Sequence, residues 1–355
     1  MKTVNHQELK DVVKKCFYQQ IPLFIWGPTG IGKSDTVRQA AQEIAKELKL
    51  EYHDGMNGPE KFNVIDSRLS QMDPSDLRGL PFVKNDKTIW AYPDWLPRDG
   101  KGLLFLDECN LAPPLVQSSA YQLVLDRRLG SYEVPKDWAI IAAGNRLEDK
   151  AHIFEMAGPL CNRFAHVELG LPNIADWTTW AIGAKVDSRV VTFLNFKPSF
   201  LFKFDSQLKE KAFPTPRAWA RYASSLIEGV TDNGLLHTFI ASAVGEGIAT
   251  ECVAYLKLTT KIDIKTILEH PEGIKKLDGI DMKYTLLSGL VEMVKKDKKV
   301  MEKVVVCCDY LEPEFAILLL RFLKGNIPDM VKLVQGSEKM SKICQKYVKY
   351  LLDDK

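Results

Sequence analysis

The feature that most constrains this chain is the octapeptide GPTGIGKS at residues 27–34, which satisfies the pattern G-x-x-x-x-G-K-[ST] in full. A short apolar run at 21–26 leads into it, and Val37, Ala40 and Ile44 mark one face of a helix behind it. A strand, a glycine-rich turn and a helix in this order bring backbone N–H groups and the positive end of a helix to one point. The pattern therefore predicts an α/β core with a phosphate-binding site.

Each residue type in this turn suits a phosphate ligand. Gly27, Gly30 and Gly32 let the backbone curl so that successive N–H groups point at phosphate oxygens. Lys33 is expected to reach the β- and γ-phosphates, and Ser34 to offer its hydroxyl to Mg²⁺. The alternative is a glycine turn with an exposed lysine, which the flanking strand and helix disfavour. The predicted phosphate-binding residues are Gly27, Pro28, Thr29, Gly30, Ile31, Gly32, Lys33 and Ser34.

A pair of carboxylates follows a second apolar run. Residues 103–106 are all apolar and lead directly into Asp107 and Glu108. A buried parallel strand delivers its last residues to the carboxyl edge of the sheet, where α/β proteins bind ligands. Asp107 is suited to hold Mg²⁺ through water, and Glu108 to orient and deprotonate the attacking water. Solvated acids at an ordinary strand end are the alternative, and the phosphate-binding turn favours the site.

Two further polar residues flank predicted strands. Asn145 follows the apolar run 138–143, and its amide can donate to a γ-phosphate oxygen while it accepts from water. An asparagine in an ordinary turn is the alternative. Arg163 precedes a predicted strand at 164–169, and a guanidinium from a neighbouring subunit can stabilise the charge that phosphoryl transfer gathers on the γ-oxygens. A structural surface arginine is the alternative.

Three more arginines are candidates for contact with a nucleotide or a second subunit. Arg217 follows Pro216 at the start of a predicted helix, from which it could reach the nucleotide of its own subunit. A helix-start arginine that faces water is the alternative. Arg127 and Arg128 are candidates for an intersubunit contact.

The remaining pattern divides the chain. A first helix is predicted over 7–19 with Asn5 as its cap, and a further strand over 64–68. Two short strands around a polar turn, between about residues 80 and 97, predict a hairpin inserted into the core. The apolar periodicity turns helical after about residue 171. The predicted domains are an α/β core over 1–171, an all-α lid over 172–263 and a helical C-terminal domain over 264–355.

Composition excludes several classes of protein. The 355 residues carry a net charge of +2, which is too small for a general nucleic-acid binder. No apolar run is long enough to cross a bilayer, and the first residues lack the apolar stretch of a secretory signal, so we expect a cytoplasmic protein. The 7 cysteines lack metal-ligand spacing and fit reduced thiols; adjacent Cys307 and Cys308 are interpreted as small buried residues rather than a redox pair.

Together these segments resemble the AAA+ superfamily, and within it the MoxR branch with its dynein-related relatives. The matching segments, in the expected order, are GPTGIGKS, SQMDPSDLRGLPF, GLLFLDECNLAPPLVQSSAYQLVLDRRLG, IIAAGNR, GPLCNRF and FPTPRAW. The resemblance implies that Asp107 and Glu108 are the Walker B pair and that Asn145 is sensor 1. It also implies that Arg163 is an arginine finger and that Arg217 is sensor 2.

The resemblance further implies an ATPase that uses ATP with Mg²⁺ and forms a ring-shaped hexamer with ATP between subunits. Such proteins act as chaperone-like remodellers of a protein client, often beside a partner with a von Willebrand factor A domain. The inserted hairpin would line the pore side. The tail from about residue 264 departs from a minimal MoxR protein.

Two other functions remain open at this point. A nucleic-acid-acting NTPase motor is one, although the near-neutral charge and the lack of a basic stripe disfavour it. A binding switch, in which nucleotide controls docking of the helical tail and turnover is slow, is the other. A small-molecule kinase is disfavoured because it has no use for sensor and finger arginines.

Overall fold

The computed structural model describes residues 1–55, 58–146, 149, 154–204 and 211–352. The chain divides into two compact units, Met1–Pro172 and Asn173–Lys355, and each is described by itself. The first unit is an α/β core. The second is helical, with no strand among its described residues.

The first unit is built on a seven-stranded parallel sheet with the order β1-β11-β2-β10-β7-β4-β3. The strands along the chain are β1 (Thr3–Val4), β2 (Leu23–Trp26), β3 (Glu51–Asp54), β4 (Lys61–Arg68), β5 (Leu80–Lys84), β6 (Lys87–Ala91), β7 (Lys101–Asp107), β8 (Arg128–Leu129), β9 (Tyr132–Glu133), β10 (Trp138–Gly144) and β11 (Ala165–Leu169). Strands β5 and β6, and likewise β8 and β9, form separate antiparallel pairs.

The central strands are apolar on both faces because helices cover both faces of a parallel sheet. The side chains of β10 are all buried, and so are the five residues between the ends of β7. The helices of this unit are α1 (His6–Gln19), α2 (Lys33–Glu47), α3 (Pro74–Arg78), α4 (Pro114–Asp126) and α5 (Gly158–Cys161). An aromatic and aliphatic cluster, which includes Phe24, Leu104 and Trp138, fills one side of the sheet.

The start of α1 is fixed by a reciprocal cap. The Oδ1 of Asn5 accepts a hydrogen bond from the backbone N of Glu8 at 2.8 Å, and the Glu8 carboxylate accepts one from the backbone N of Asn5 at 2.9 Å. Both donors would otherwise lack a partner at a helix start. The predicted cap is confirmed, and the helix begins one residue earlier than predicted, at His6.

The inserted hairpin is present, with β5 and β6 joined by Asn85 and Asp86. These two residues have φ of 53° and 54°, the left-handed pair that a tight two-residue hairpin turn requires and that Asn and Asp tolerate. Every residue of both strands is exposed. The hairpin therefore presents apolar side chains, such as Val83 at 76% exposure, away from the core of its unit.

The second unit packs its helices around one hydrophobic core, which includes the buried side chains Phe193, Trp219 and Phe322. A π-helix at Ala218–Ala223 precedes α8. The helices are α6 (Ile174–Gly183), α7 (Ser188–Phe196), α8 (Ser224–Ile227), α9 (Asn233–Val244), α10 (Glu246–Leu256), α11 (Ile264–Glu269), α12 (Ile280–Lys296), α13 (Met301–Val306), α14 (Pro313–Asn326), α15 (Met330–Gln335) and α16 (Glu338–Leu352).

The predicted fold class, a parallel α/β core with an inserted hairpin followed by a helical region, is confirmed. The division of the helical region into a lid and a C-terminal domain at residue 263 stays a prediction. Residues 205–210 and 353–355 of those domains lie outside the described residues. Among the described helices, none is both long and apolar enough to span a membrane.

Five predicted strands are present, and each end differs by at most two residues except the start of β4, which lies at Lys61 rather than Val64. Two strands of the seven-stranded sheet, β1 and β3, were not predicted, and neither was the short pair β8 and β9. Strand β1 has 2 residues, too few for any periodicity, and β3 reads EYHD, with no buried side chain at the edge of the sheet. Edge strands with polar faces carry no apolar pattern, so sequence alone does not reveal them.

Candidate nucleotide-binding site

The register of the sheet brings three predicted site segments to one edge. Trp26, the last residue of β2, pairs with Gly144 at the end of β10, and Leu106 in β7 pairs with Ala142 of the same strand. Since these strands are parallel, their carboxyl ends share one edge of the sheet. The glycine-rich turn, the acidic pair and Asn145 all begin there.

The glycine-rich turn leads from β2 into α2. Gly30 and Gly32 have φ of 79° and 101°, which side chains of L-residues rarely adopt. Gly32 is the residue before the first turn of α2 and provides no side-chain cap, so the first N–H groups of α2 are available to an anion. Ile31 is buried and Thr29 is exposed, so the turn has one face in the core and one face outside.

Lys33 is buried, with 8% of its surface exposed, and its ammonium lies inside the turn. Nζ donates hydrogen bonds to the carbonyl oxygens of Gly27 at 2.6 Å and Pro28 at 3.0 Å. It also donates to Oδ1 of Asn145 at 3.1 Å. The alternative of a glycine turn with an exposed lysine is thus wrong, because Lys33 is buried and joins the turn to the end of β10.

Ser34 and Asp107 meet at the same edge. The Ser34 hydroxyl donates to Oδ2 of Asp107 at 2.8 Å. Two hard oxygen ligands, one neutral and one anionic, fit Mg²⁺, which binds to few protein groups and takes its remaining ligands from phosphates and water. Among the described residues, no group of three or more His, Cys, Asp or Glu side chains could hold a metal ion.

Glu108 has a backbone conformation that is unusual for a residue with a side chain. Its φ is 54°, and its N–H donates to Oδ1 of Asp107 at 2.9 Å. Ser70, just after the end of β4, donates from its hydroxyl to Oε2 of Glu108 at 2.5 Å. Strain of this kind is found at functional sites, and here the Glu108 carboxylate accepts its hydrogen bond from Ser70.

Asn110 holds the backbone of Asn145 through both ends of its own amide. Its Nδ2 donates to the carbonyl oxygen of Asn145 at 2.7 Å, and its Oδ1 accepts from the N–H of Asn145 at 3.1 Å. Both asparagines are nearly fully buried, with 2% and 9% of their surfaces exposed. The Asn145 side chain is thereby presented towards Lys33, with Thr29 Oγ1 at 3.5 Å.

His6 fixes the other side of the turn. Its Nε2 lies 2.8 Å from the carbonyl oxygen of Ile31, so this nitrogen carries the hydrogen and donates it. The first residue of α1 therefore supports the turn from outside. His6, Ser70 and Asn110 were not predicted as site residues, since their partners are 25 to 38 residues away in the chain.

Charges behind the acidic pair are partly neutralised. Arg38 of α2 donates to the carboxylates of Asp66 at 2.5 Å and Asp54 at 3.2 Å. Burial raises the pKa of Asp66; Arg38 opposes this shift, and the negative charge of Asp107 adds to it. Arg38 thus offsets negative charge close to Asp107.

Arg163 lies just after α5, with its side chain half-buried. Its guanidinium carbon lies 4.2 Å from the centre of the Tyr121 ring, and Nη1 donates to the carbonyl oxygen of Pro159. Among the described residues, no hydrogen bond joins Arg163 to Lys33, Asp107 or Asn145 within one chain. Its predicted role in a neighbouring subunit's site is not tested within one chain.

Arg127 and Arg128 are engaged inside their own chain. Nη2 of Arg127 donates to the carbonyl oxygens of Pro135 at 2.9 Å and Trp138 at 2.6 Å, and Arg128 pairs with Glu133 across β8 and β9. These contacts favour a structural role for Arg127. Arg217 is exposed next to the π-helix in the second unit, and its role as sensor 2 stays a prediction.

The cysteines lie away from any metal or disulfide arrangement, since all seven are free. Cys307 and Cys308 are fully buried, in agreement with their interpretation as packing residues. Burial raises the pKa of Cys109 and of Cys307 to about 12. Cys109 follows Glu108 directly, and a thiol that stays protonated there is a packing group rather than a nucleophile.

No protein-family model matches the chain, and no curated protein matches it. Several solved structures are similar at low identity. A variant of RuvB from Thermotoga maritima is 15% identical, with 75% of this chain and 76% of that chain covered at a TM-score of 0.35. NtrX from Brucella abortus is 14% identical, with 97% and 67% covered at 0.34. The ORC2 protein of Aeropyrum pernix is 10% identical, with 90% and 84% covered at 0.35.

Scores and identities of this size carry no argument about activity. The fold rests instead on the strand order of this chain, in which β11, β2, β10, β7 and β4 are neighbours and the glycine-rich turn follows β2, an interior strand. That parallel order, followed by a helical region, is the predicted fold class of a parallel α/β core and a helical part.

Proposed function

We propose that this chain is an AAA+ ATPase that hydrolyses ATP between neighbouring copies of itself and uses the cycle to remodel a protein partner. The observation that carries the proposal is the convergence of the Lys33–Asn145 and Ser34–Asp107 hydrogen bonds, at 3.1 Å and 2.8 Å, at one edge of the sheet. These four side chains come from one turn and from two strand ends that follow it 73 and 112 residues later in the chain.

Each side chain at this edge has a defined part. The N–H groups of residues 27–34 and the Lys33 ammonium bind the β- and γ-phosphates. Asn145 contacts the γ-phosphate and the attacking water, because its amide both donates and accepts. Glu108 orients that water and takes its proton. Lys33 must exchange its carbonyl partners for phosphate oxygens when ATP binds.

Ser34 and Asp107 would hold Mg²⁺, which neutralises phosphate charge when it is bound. Their contact with each other supports this role because both oxygens already face one point. Asp107 contributes the negative charge, and Ser34 contributes a hydroxyl that needs no deprotonation.

Two arginines, Arg163 and Arg217, have further proposed roles in the ATPase cycle. Arg163 of one subunit would contact the γ-phosphate in the next, which makes catalysis depend on assembly into a ring, and we propose a hexamer. Arg217 would respond to the nucleotide of its own subunit. Loss of the γ-phosphate would weaken both contacts and let subunits move relative to each other.

The exposed hairpin supports a remodelling role. Leu80, Phe82 and Val83 on β5, and Ile89 and Trp90 on β6, remain exposed, an unusual concentration of apolar surface on two short strands. We propose that this hairpin contacts an apolar segment of a protein client, with a von Willebrand factor A domain protein as the companion of the ring. Near-neutral net charge disfavours nucleic acid as the substrate.

The proposal is tested by the purified full chain and its Glu108→Gln variant. We expect Mg²⁺-dependent ATP hydrolysis by the wild type, and a loss of turnover of about 10²- to 10⁴-fold in the variant with ATP binding retained. Equal turnover by both proteins would reject Glu108 as the base. The Glu108→Gln protein in ATP also provides a trap from which bound client can be identified.

A Phe82→Ser variant tests the coupling to a client. We expect its basal ATPase to match the wild type, since Phe82 lies in the exposed hairpin, and its stimulation by the trapped client to be lost. A Thr88→Ser change on the same hairpin serves as the control. Turnover that rises with added DNA, and falls steeply with salt, would replace the remodelling role by that of a nucleic-acid motor.

A further inference from the structure

Arg163 is held within its own chain mainly by an aromatic ring. Its guanidinium lies over the face of Tyr121, 4.2 Å from the ring centre, which is well within the range of a cation–π contact. Nη1 donates to the carbonyl oxygen of Pro159. Nε is buried and has no hydrogen-bond partner among the described residues. The ring and one carbonyl therefore set the direction of this side chain.

The ring is itself firmly placed. Tyr121 lies in α4, whose neighbouring residues Ala120, Leu123 and Val124 are buried in the core, and the Tyr121 side chain packs against the same cluster. Helix α4 starts at Pro114, six residues after Glu108. A rigid aromatic face on this helix can restrict a long, flexible arginine more than a mobile surface partner could.

The backbone that carries Arg163 has separate support. Trp26 donates from Nε1 to Nδ1 of His166 at 3.0 Å, so the hydrogen of His166 resides on Nε2. Nε2 in turn donates to the carbonyl oxygen of Cys161 at 2.7 Å. Removal of the Tyr121 ring would therefore free the guanidinium while the backbone near Arg163 keeps its anchor.

We propose that Tyr121 is a positioning residue for intersubunit catalysis, because its ring holds the Arg163 guanidinium in the orientation that serves the neighbouring subunit. The inference rests on the proposed function, in which Arg163 acts in the next subunit. Tyr121 does not touch the nucleotide of its own subunit in this scheme. Loss of the Tyr121 ring should impair the nucleotide site of the neighbouring subunit and leave the site of the same subunit intact.

Two substitutions separate the ring face from other properties of Tyr121. Tyr121→Phe keeps the ring, so we expect kcat within about threefold of the wild type. Tyr121→Leu removes it, and we expect kcat to fall about 10- to 100-fold at little change in KM, because a catalytic group is displaced while ATP binding is preserved. Tyr222→Leu, at an exposed tyrosine of the second unit, is the matched control. An equal loss in Tyr121→Phe and Tyr121→Leu would overturn the proposal.

Mixed rings give the decisive readout. Glu108→Gln subunits lack the base but carry a correctly held Arg163, whereas Tyr121→Leu subunits have an intact base. Where a Glu108→Gln subunit places its Arg163 in the site of a Tyr121→Leu subunit, that site becomes active. The mixture should therefore hydrolyse ATP faster than the sum of the rates of the two proteins measured alone. A merely structural defect in Tyr121→Leu would not be rescued, and a mixture no faster than that sum would overturn the proposal.

The same mixing experiment with Arg163→Ala in place of Tyr121→Leu separates the role of Tyr121 from the proposed intersubunit role of Arg163. One outcome is that Glu108→Gln rescues Arg163→Ala while Tyr121→Leu has wild-type activity alone. The intersubunit role of Arg163 is then supported, and the role of Tyr121 is rejected. If Arg163→Ala has full activity alone, or its mixture shows no rescue, the proposed intersubunit site itself is rejected. Thermal unfolding of each variant establishes that the proteins compared are folded.

Discussion

The Nζ of Lys33 lies 3.1 Å from Oδ1 of Asn145, so one hydrogen bond joins the phosphate-binding turn to the end of β10. Both groups are buried, and an added charge at either position has a large effect because charges interact more strongly where water is excluded. The proposed γ-phosphate contact requires the same Asn145 amide and the same ammonium. Nucleotide must therefore compete with this contact, which makes the pair sensitive to substitution.

Asn145→Asp is expected to trap Lys33. A carboxylate in place of the amide forms an ion pair with the ammonium and repels phosphate, so ATP affinity should fall at least about tenfold. Asn145→Ala carries no charge; it should lower kcat about 10²- to 10³-fold, with a smaller effect on affinity. Calorimetric titration with ATP measures both affinities. Equal affinity in the two variants would contradict the expectation.

Ser34→Ala is expected to raise the Mg²⁺ concentration needed for half-maximal hydrolysis. The substitution removes the hydroxyl that donates to Asp107 at 2.8 Å and leaves the carboxylate as the single protein ligand of the pair. We expect an increase of about tenfold or more, which corresponds to the loss of one charge-assisted contact of about 1.5 kcal/mol or more. Ser34→Thr keeps the hydroxyl and is the matched control. An unchanged Mg²⁺ titration in Ser34→Ala would exclude the hydroxyl as a ligand.

Asn110→Ala tests the clamp on Asn145. The change leaves the backbone N–H and carbonyl of Asn145 without their partners at a nearly buried position, which should lower the free energy of unfolding by about 2–5 kcal/mol. Turnover should fall as well, since the Asn145 side chain loses its fixed direction. Urea unfolding measures the first effect. Asn162→Ala, at an exposed asparagine of the same unit, should change the free energy of unfolding by less than about 0.5 kcal/mol.

The strand ends at this edge could be predicted from the sequence because apolar runs mark buried parallel strands and polar residues end them. Asp107, Glu108 and Asn145 follow such runs, and the parallel arrangement alone places them at one edge. The glycine spacing of the turn likewise indicates backbone conformations with positive φ, which glycine adopts readily. These signals lie within short segments of the sequence, so they predict the site residues without reference to tertiary packing.

The supporting residues could not be predicted in the same way. Ser70 reaches Glu108, and Asn110 reaches Asn145, only because β4, β7 and β10 are neighbours in the sheet. A serine after a strand or an asparagine in a turn has no distinguishing pattern in sequence. Arg127 is a residue for which the sequence suggested an intersubunit contact, whereas its guanidinium binds carbonyl oxygens of its own chain. No spacing rule identifies those carbonyl groups.

The reactivity of the cysteines gives an independent test of the core around the acidic pair. Burial raises the pKa of Cys109 from 9.0 to about 12, so its thiolate fraction near pH 8 is about a thousandfold lower than that of an unperturbed thiol. Cys161 is partly exposed, while the other six cysteines are buried. We expect iodoacetamide to label Cys161 first in the native protein and to label Cys109 only when the core opens.

Peptide mass spectrometry of briefly labelled protein measures these rates, and labelling in urea, where all seven thiols are exposed, supplies the reference. Cys161→Ser should remove the fast phase and leave the slow one unchanged. Because Cys109 directly follows Glu108, binding of ATP with Mg²⁺ should slow its labelling further by stabilising the folded core. Rapid labelling of native Cys109 would contradict both its burial and the packing that fixes the acidic pair.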